Sequence, residues 1–306
     1  MMMEEPEYYI FTGREGEVIP DHVTHVLIDK ALKFVRASAF ARHRKIIEMI
    51  CHDGVEKIEE YAFNGCRSLR RVIIPGVKVI ERNAFTPHVS VHGINCCGAL
   101  TYIGGDKLER IGRSAFAACY SLRSFKMPSA AIVMRYAFAG CTKLRSARFG
   151  KDLESLGEMA FHNCHSLRRI ALPLRDGIIS DDNIFKGCDD LIQVDIVGGV
   201  HETVAALLLD EWKNEMNEEI DSINQILPNT PAGTDRYMDN GGKAQEIRSW
   251  IRSVLRKIIH YKAEHRSYLD EAAATLQSSL PNDIVHKSIL PFLELPSYTF
   301  QGETSD

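Results

Sequence analysis

No stretch of the chain approaches the roughly 20 consecutive apolar residues that a membrane-crossing helix needs, so no membrane span is expected. There is no phosphate loop of the Gly-x-x-x-x-Gly-Lys type, and Gly104-Gly105 lacks the surrounding glycines. His201-Glu202 has no histidine three residues on, which removes the zinc-protease helix, and no Gly-x-Ser-x-Gly elbow is present. Cysteines spaced as Cys-x-x-Cys are missing, and with them zinc-finger spacing. A strong charge of one sign is also lacking. The 41 acidic and 37 basic side chains leave a formal −4, which gives no electrostatic footprint for nucleic acid. The first residues, Met1-Met2-Met3-Glu4-Glu5-Pro6-Glu7, are acidic where a secretory leader is basic and then apolar. These absences predict a cytoplasmic or nuclear protein with no catalytic residues, cofactor or metal.

What is present is an ordinary globular balance, 45% hydrophobic and 25% charged, which excludes a wholly disordered chain. At a typical domain length of about 150 residues, the 306 residues allow two domains. Self-similarity organises the first of them. An Ala-Phe pair recurs at Ala39-Phe40, Ala62-Phe63, Ala84-Phe85, Ala115-Phe116, Ala137-Phe138 and Ala160-Phe161, with Ile184-Phe185 as a variant. The phenylalanines step by 23, 22, 31, 22, 23 and 24 residues. Six positions after most of them stands an aliphatic residue: Ile46, Leu69, Leu122, Leu144, Leu167 or Leu191. Three positions before that aliphatic sits His43, Cys66, Cys119, Cys141, Cys164 or Cys188. The long step holds nine extra residues between Phe85 and Cys97, because Cys97-Gly98-Ala99-Leu100 restores the frame. The repeat is unbroken and carries one insertion.

Each unit reads Cys-x-x-Leu-x-x-Ile-x-Leu-Pro, a turn, Leu-x-x-Ile and Ala-Phe, and Cys164 to Pro173 is the best copy. The alternating apolar pair suits a short strand with one buried face. The proline after it cannot extend a hydrogen-bonded ladder, so the strand stops there. Strand starts at Val23, Ile46, Leu69, Leu100, Leu122, Leu144, Leu167 and Leu191 predict eight parallel strands. A unit of 22 to 24 residues cannot enclose a core, whereas stacked units cover one another's apolar faces. The fold class expected is an α+β repeat solenoid. Residues 1 to 17 lead in, residues 18 to 198 form a curved stack with a parallel sheet of about eight short strands, and an α-helical cap or hairpin follows.

The run from Leu108 through Ile111-Gly112, Ala115-Phe116 and Cys119 to Leu122 resembles the BspA-type leucine-rich repeat. That family shares the pattern Leu-x-x-Ile-x-Leu-Pro, Leu-x-x-Ile-Gly, Ala-Phe-x-x-Cys. The resemblance covers the first two thirds of the chain. It implies a leucine-rich-repeat scaffold for interactions, and because relatives include secreted adhesins it also implies a surface adhesin as an alternative.

Six of the eight cysteines share one repeat position, Cys51 falls on an inward strand site, and Cys96 stands outside the frame. Stacked strands about 4.8 Å apart would bring ladder thiols toward disulfide range. Buried free thiols in a reducing compartment are the stronger reading. His88, His92, Cys96 and Cys97 lie within ten positions but match no familiar metal site.

Outward strand positions carry a basic stripe: Arg70, Arg123, Arg145 and Arg168 just after the strand-start leucine, with Arg71, Lys126, Arg148 and Arg169 nearby. Like charges stacked across strands repel. Two readings follow. Glutamates from the returning side of the coil (Glu59, Glu81, Glu109, Glu154) and solvent offset the stripe, or an acidic protein or peptide docks on it. Nucleic acid fits poorly, since aromatic interleaving and a base-reading motif are missing.

Helical spacing begins after Gly198-Gly199. Val204, Leu208, Trp212, Met216, Ile220 and Ile223 mark one face of a helix stopped near Pro228, and residues 202 to 221 balance at −6. A turn-rich linker spans 228 to 242. A second helix has Ile247, Ile251, Val254, Ile258, His265, Leu269, Ala272 and Leu276 on one face, and residues 247 to 266 balance at +5. The opposite charges predict an antiparallel hairpin over 199 to 279 that caps the last repeat. In the terminal helix and tail, 280 to 306, Leu280-Pro281-Asn282-Asp283-Ile284 and Ile289-Leu290-Pro291-Phe292-Leu293 resemble the opening of an F-box. That resemblance implies a ubiquitin-ligase substrate adaptor as a further alternative. The leading expectation is a non-enzymatic scaffold that binds a protein or peptide, acidic in character, on its sheet face.

Overall fold

The computed structural model describes residues 7–86, 88–90, 93–95, 97–232, 242–278, 280, 281, 284, 285 and 287. Successive coils contribute one strand each to the front of the stack, and six of them add a two-residue strand to a back sheet. The front strands are His25–Ile28, Glu48–Ile50, Arg71–Ile73, Tyr102–Gly104, Ser124–Met127, Ser146–Phe149, Arg169–Pro173 and Gln193–Val197. All eight predicted strands are present and pair in parallel where they pair. Each begins two residues past its expected start, because the strand-start aliphatic sits in the turn that leads into it. A ninth front strand, Tyr8–Phe11, pairs in parallel with His25–Ile28. It turns Phe11 inward and Ile10 outward without carrying the repeat signature.

Hydrogen bonding divides the front into a five-stranded sheet, from Tyr8–Phe11 to Tyr102–Gly104, and a four-stranded sheet, from Ser124–Met127 to Gln193–Val197. The back sheet has no such break. Its six strands, from Phe34–Val35 to Ser155–Leu156, pair in chain order, and a Leu156–Ile179 bridge adds the last coil. The nine extra residues hold an antiparallel hairpin, His88–Ser90 with Gly93–Asn95.

The core explains the repeated letters. The Ala-Phe rings stack into a column: Phe40–Phe63 4.8 Å, Phe63–Phe85 and Phe85–Phe116 5.1 Å, Phe116–Phe138 and Phe138–Phe161 5.4 Å, and Phe161–Phe185 5.8 Å between centroids. Three residues after five of the rings, and after the insertion at Cys97, a cysteine thiol donates to the Phe carbonyl of the preceding coil, from Cys66 to Phe40 at 2.9 Å through Cys188 to Phe161 at 3.1 Å. A small apolar residue with a weak donor is what this position needs, since an unmet buried carbonyl is costly. Burial pushes the Cys66 thiol up to about 12. The seven described cysteines are free and buried.

The turn around each ring has a second periodicity. Ser38, Tyr61, Asn83, Ser114, Tyr136 and Met159, two residues before the phenylalanine, adopt φ of 53 to 59°. This left-handed backbone is strained for any residue but glycine. It is offset by N–H bonds across coils, such as Ser38 to the Glu60 carbonyl at 3.1 Å and Tyr136 to Glu158 at 3.1 Å.

Three helices follow: α1 Val200–Ala205, α2 Asp210–Ile226 and α3 Gly242–Gln277. The single first helix expected from the periodicity is interrupted before Asp210, and Leu208 is exposed there. α2 and α3 run antiparallel, as their contacts show: Trp250 Nε1 donates to the Glu219 carbonyl, Lys257 meets Glu219, and Trp212 stacks on Tyr261. The cap completes the last coil in place of another repeat. The Ala232 carbonyl accepts the Gly187 N–H at 3.2 Å, and Asn224 Oδ1 accepts the Val194 N–H at 2.8 Å. Buried Lys243 donates to the Asp189 and Leu191 carbonyls at 2.8 and 2.6 Å. Arg248 and Arg252 reach Asp182 and Asp176 of the last coil at 2.8 and 3.0 Å. Much of the basic charge on α3 therefore faces the repeats and not α2.

Candidate functional site

Because side chains alternate along a strand, two rows project from the front face of each coil. On the five-stranded sheet the first row is Tyr8, His25, Glu48, Arg71 and Tyr102, in direct register. It is paired within itself. Tyr8 donates to Glu48 at 2.7 Å, Arg71 lies 3.1 Å from the same carboxylate, and the Arg71 guanidinium sits 5.3 Å from the Tyr102 ring centre. The Glu48 carboxylate, by accepting its hydroxyl, holds Tyr8 above the ordinary phenol range. The second row is apolar: Ile10, Leu27, Ile50 and Ile73, ending at Gly104. Ile10 is 55% exposed and the other three are half-buried. Tyr102, 51% exposed, ends the sheet, and its hydroxyl lies 2.7 Å from where a Cβ on Gly104 would stand.

The four-stranded sheet is different. Lys126 and Arg148 are register partners on neighbouring strands, with Arg123 and Arg145 just ahead of them in the lead-in turns. All four are exposed, and among the described residues none has an ion pair or a side-chain hydrogen bond. Like charges placed directly across a pair of strands destabilise them, by about 0.2–1 kcal/mol. Further along, the charge is matched: Arg169 binds Asp195 at 2.5 Å and Arg168 lies 3.8 Å from Asp190.

The eight residues of the predicted stripe are thus all exposed, but they fall into two classes. Arg71, Arg168 and Arg169 have acidic partners on the front of the stack, whereas Arg70, Arg123, Lys126, Arg145 and Arg148 have none among the described residues. The glutamates expected to offset the stripe do not do so. Glu81 pairs with Lys57 at 2.7 Å along the back sheet, Glu59 accepts the Ala37 N–H, and Glu154 reaches Arg175. They sit directly beside the returning strands, on the other side of the core. The apolar row escaped the sequence reading because its members are unremarkable aliphatics; pairing register alone shows that Ile10, Leu27, Ile50 and Ile73 point outward together.

Among the described residues no three His, Cys, Asp or Glu side chains come together as a metal site. The His88, His92 and Cys96 side chains lie outside the described residues, while Cys97 is committed to the thiol ladder through the Phe63 carbonyl. Most of the F-box-like segment also lies outside them. Among the described residues no helix is long and apolar enough to cross a membrane.

Six copies of the BspA type leucine-rich repeat region match residues 21–110 and 109–207, more than half of the chain. The chain belongs to the BspA-type leucine-rich repeat family. Solved structures similar to this BspA-type protein include a leucine-rich repeat protein of T. pallidum, at 20% identity, 63% of this chain, 80% of that one and a TM-score of 0.41. A leucine-rich repeat protein from Bacteroides ovatus matches at 22% identity, over 58% and 68% of the two chains, with a TM-score of 0.28. A leucine-rich cell surface protein from Faecalibacterium prausnitzii matches at 21% identity, over 58% and 61%, with a TM-score of 0.27. Among curated proteins none matches significantly.

Proposed function

We propose that this BspA-type protein is a non-enzymatic scaffold that binds an acidic protein or peptide on the front face of its repeats. One observation carries the reading: Arg123, Lys126, Arg145 and Arg148 crowd two adjacent strands with no counter-charge among the described residues. Arg169 and Arg71, by contrast, have an acid beside them. The family supports it, since stacked repeats offer extended sheet faces for binding. Seven free thiols support a reducing, cytoplasmic setting.

The test is capture of proteins from a source-cell lysate by the whole chain and by the triple variant Arg123→Glu, Arg145→Glu, Arg148→Glu. The variant is expected to melt at the wild-type temperature or above it, because it relieves repulsion, and to lose the captured partner. Reversing Arg168 and Arg169, whose charge is already matched, serves as the control and is expected to weaken capture less. An unchanged set of captured proteins would reject the proposal.

A further inference from the structure

The boundary between the apolar row and the basic cluster coincides with the break in the front ladder, between Tyr102–Gly104 and Ser124–Met127. The strands on either side of that break therefore offer different contacts. On the five-stranded sheet the polar row is satisfied internally, by the Tyr8–Glu48–Arg71–Tyr102 chain of contacts, so what it leaves for a partner is Ile10, Leu27, Ile50 and Ile73. On the four-stranded sheet the leading strands offer the unmatched cations Lys126 and Arg148 beside the small Ser124 and Ser146. Tyr102 stands at the junction, half exposed and backed by Arg71. Tyrosine is a frequent anchor in interfaces, because its ring buries area at little entropic cost.

From this we infer that the ligand is a two-block peptide, with an apolar block lying over Ile10, Leu27, Ile50 and Ile73 and an acidic block lying over Lys126 and Arg148. The inference rests on the scaffold reading above and adds the chemistry of the bound segment. Strands about 4.8 Å apart put Ile10 and Arg148 roughly 30 Å from each other, which an extended peptide of about nine residues spans. A polyanion with uniform charge, such as a nucleic acid, would have to lay phosphates over the aliphatic row beside Glu48, where it gains nothing. A wholly apolar ligand would leave the cations unmatched. Only a segment with both blocks uses the whole face.

The experiment is a selection from a library of random peptides of about 12 residues displayed on phage, with the full chain as bait. Selected peptides are then titrated against wild type, the variant Ile50→Thr/Ile73→Thr and the variant Lys126→Glu/Arg148→Glu, each checked by circular dichroism and melting temperature. Threonine keeps the β-branch that the strand favours while removing apolar contact. Selected peptides are expected to carry both blocks. Each variant should weaken them at least about tenfold, and replacing either block with Gly and Ser should cost as much. Acidic peptides without an apolar block, lost in the charge-reversed variant but not in the threonine variant, would overturn the two-block inference and leave the scaffold reading standing. Binding indifferent to both variants, or no enrichment over the bare support, would overturn both. A single-stranded RNA probe bound through Lys126 and Arg148 and competing with the peptides irrespective of Ile50 and Ile73 would also overturn the inference.

Discussion

Replacing Phe116 with alanine should split the unfolding of the solenoid in two. Phe116 is fully buried and touches two rings of the column, Phe85 at 5.1 Å and Phe138 at 5.4 Å. Truncating a buried phenylalanine costs about 3–5 kcal/mol, of which two aromatic contacts account for about 1–3. The site matters as much as the size. The Phe116–Phe138 contact joins the two coils between which the front sheets are not hydrogen-bonded, so at that junction the core and the back sheet hold the stack together. In an array where each coil touches only its neighbours, a loss of this size falls on one interface. Both tryptophans, Trp212 and Trp250, lie in the cap helices, so their fluorescence follows the carboxy-terminal block while far-ultraviolet circular dichroism follows the whole chain. In urea the variant should show an early dichroism phase, displaced by about 1–2 M for a loss of about 4 kcal/mol, with the fluorescence transition near its wild-type position. A loss below about 1 kcal/mol, or two probes that still coincide, would refute the claim that the column bridges the gap in the front ladder.

Two further outcomes concern the cap. Lys243→Met strands the Asp189 and Leu191 carbonyls, and although it removes the burial that pushes the Lys243 ammonium's pKa down, the net cost should be about 2 kcal/mol. Proteolysis between the last repeat and α3 should rise accordingly, and equal protection in the variant would show that the lysine is dispensable. Tyr261 donates to Glu215, and burial with that bond pushes its phenol up to about 12 from 10.0. The folded state then holds a proton that the unfolded state has released, so stability falls as pH rises from 10 toward 12, at up to about 1.4 kcal/mol per pH unit. Tyr261→Phe should flatten that slope in alkaline urea titrations. An unchanged slope would assign the loss to another group.

The elements visible in the sequence were those written several times over. Seven phenylalanines at a near-constant step and six cysteines in one frame record a repeated environment, so the eight front strands could be counted from the letters. What occurs once was hidden. Tyr8–Phe11 has the alternation of a strand but no Leu, Cys or Phe of the repeat, and the gap in the ladder after Gly104 leaves no signature in the neighbouring strands. Lys243 looks like an ordinary polar residue at a helix start until the last coil's carbonyls are seen beside it. The arginines were legible as exposed, because outward positions follow from strand parity. Which of them are matched was not, since the acids that decide it (Glu48, Asp190 and Asp195) come from other coils, and the glutamates that looked close in the unit lie across the core.

The way the cap meets the last coil also bears on how such a chain can change in length. Coils that share the Ala-Phe ring and the ladder cysteine offer their neighbours the same ring and thiol contacts, so gaining or losing one such unit away from the break in the front ladder leaves the surviving interfaces chemically familiar. The final coil has no such freedom. Ala232, Asn224, Lys243, Arg248 and Arg252 are matched to particular groups of residues 176 to 194, and a different last unit would have to reproduce Asp176 and Asp182 to be accepted. Duplication can thus lengthen the interior and space the apolar and basic halves further apart, while the terminus travels as an indivisible block with the coil it closes.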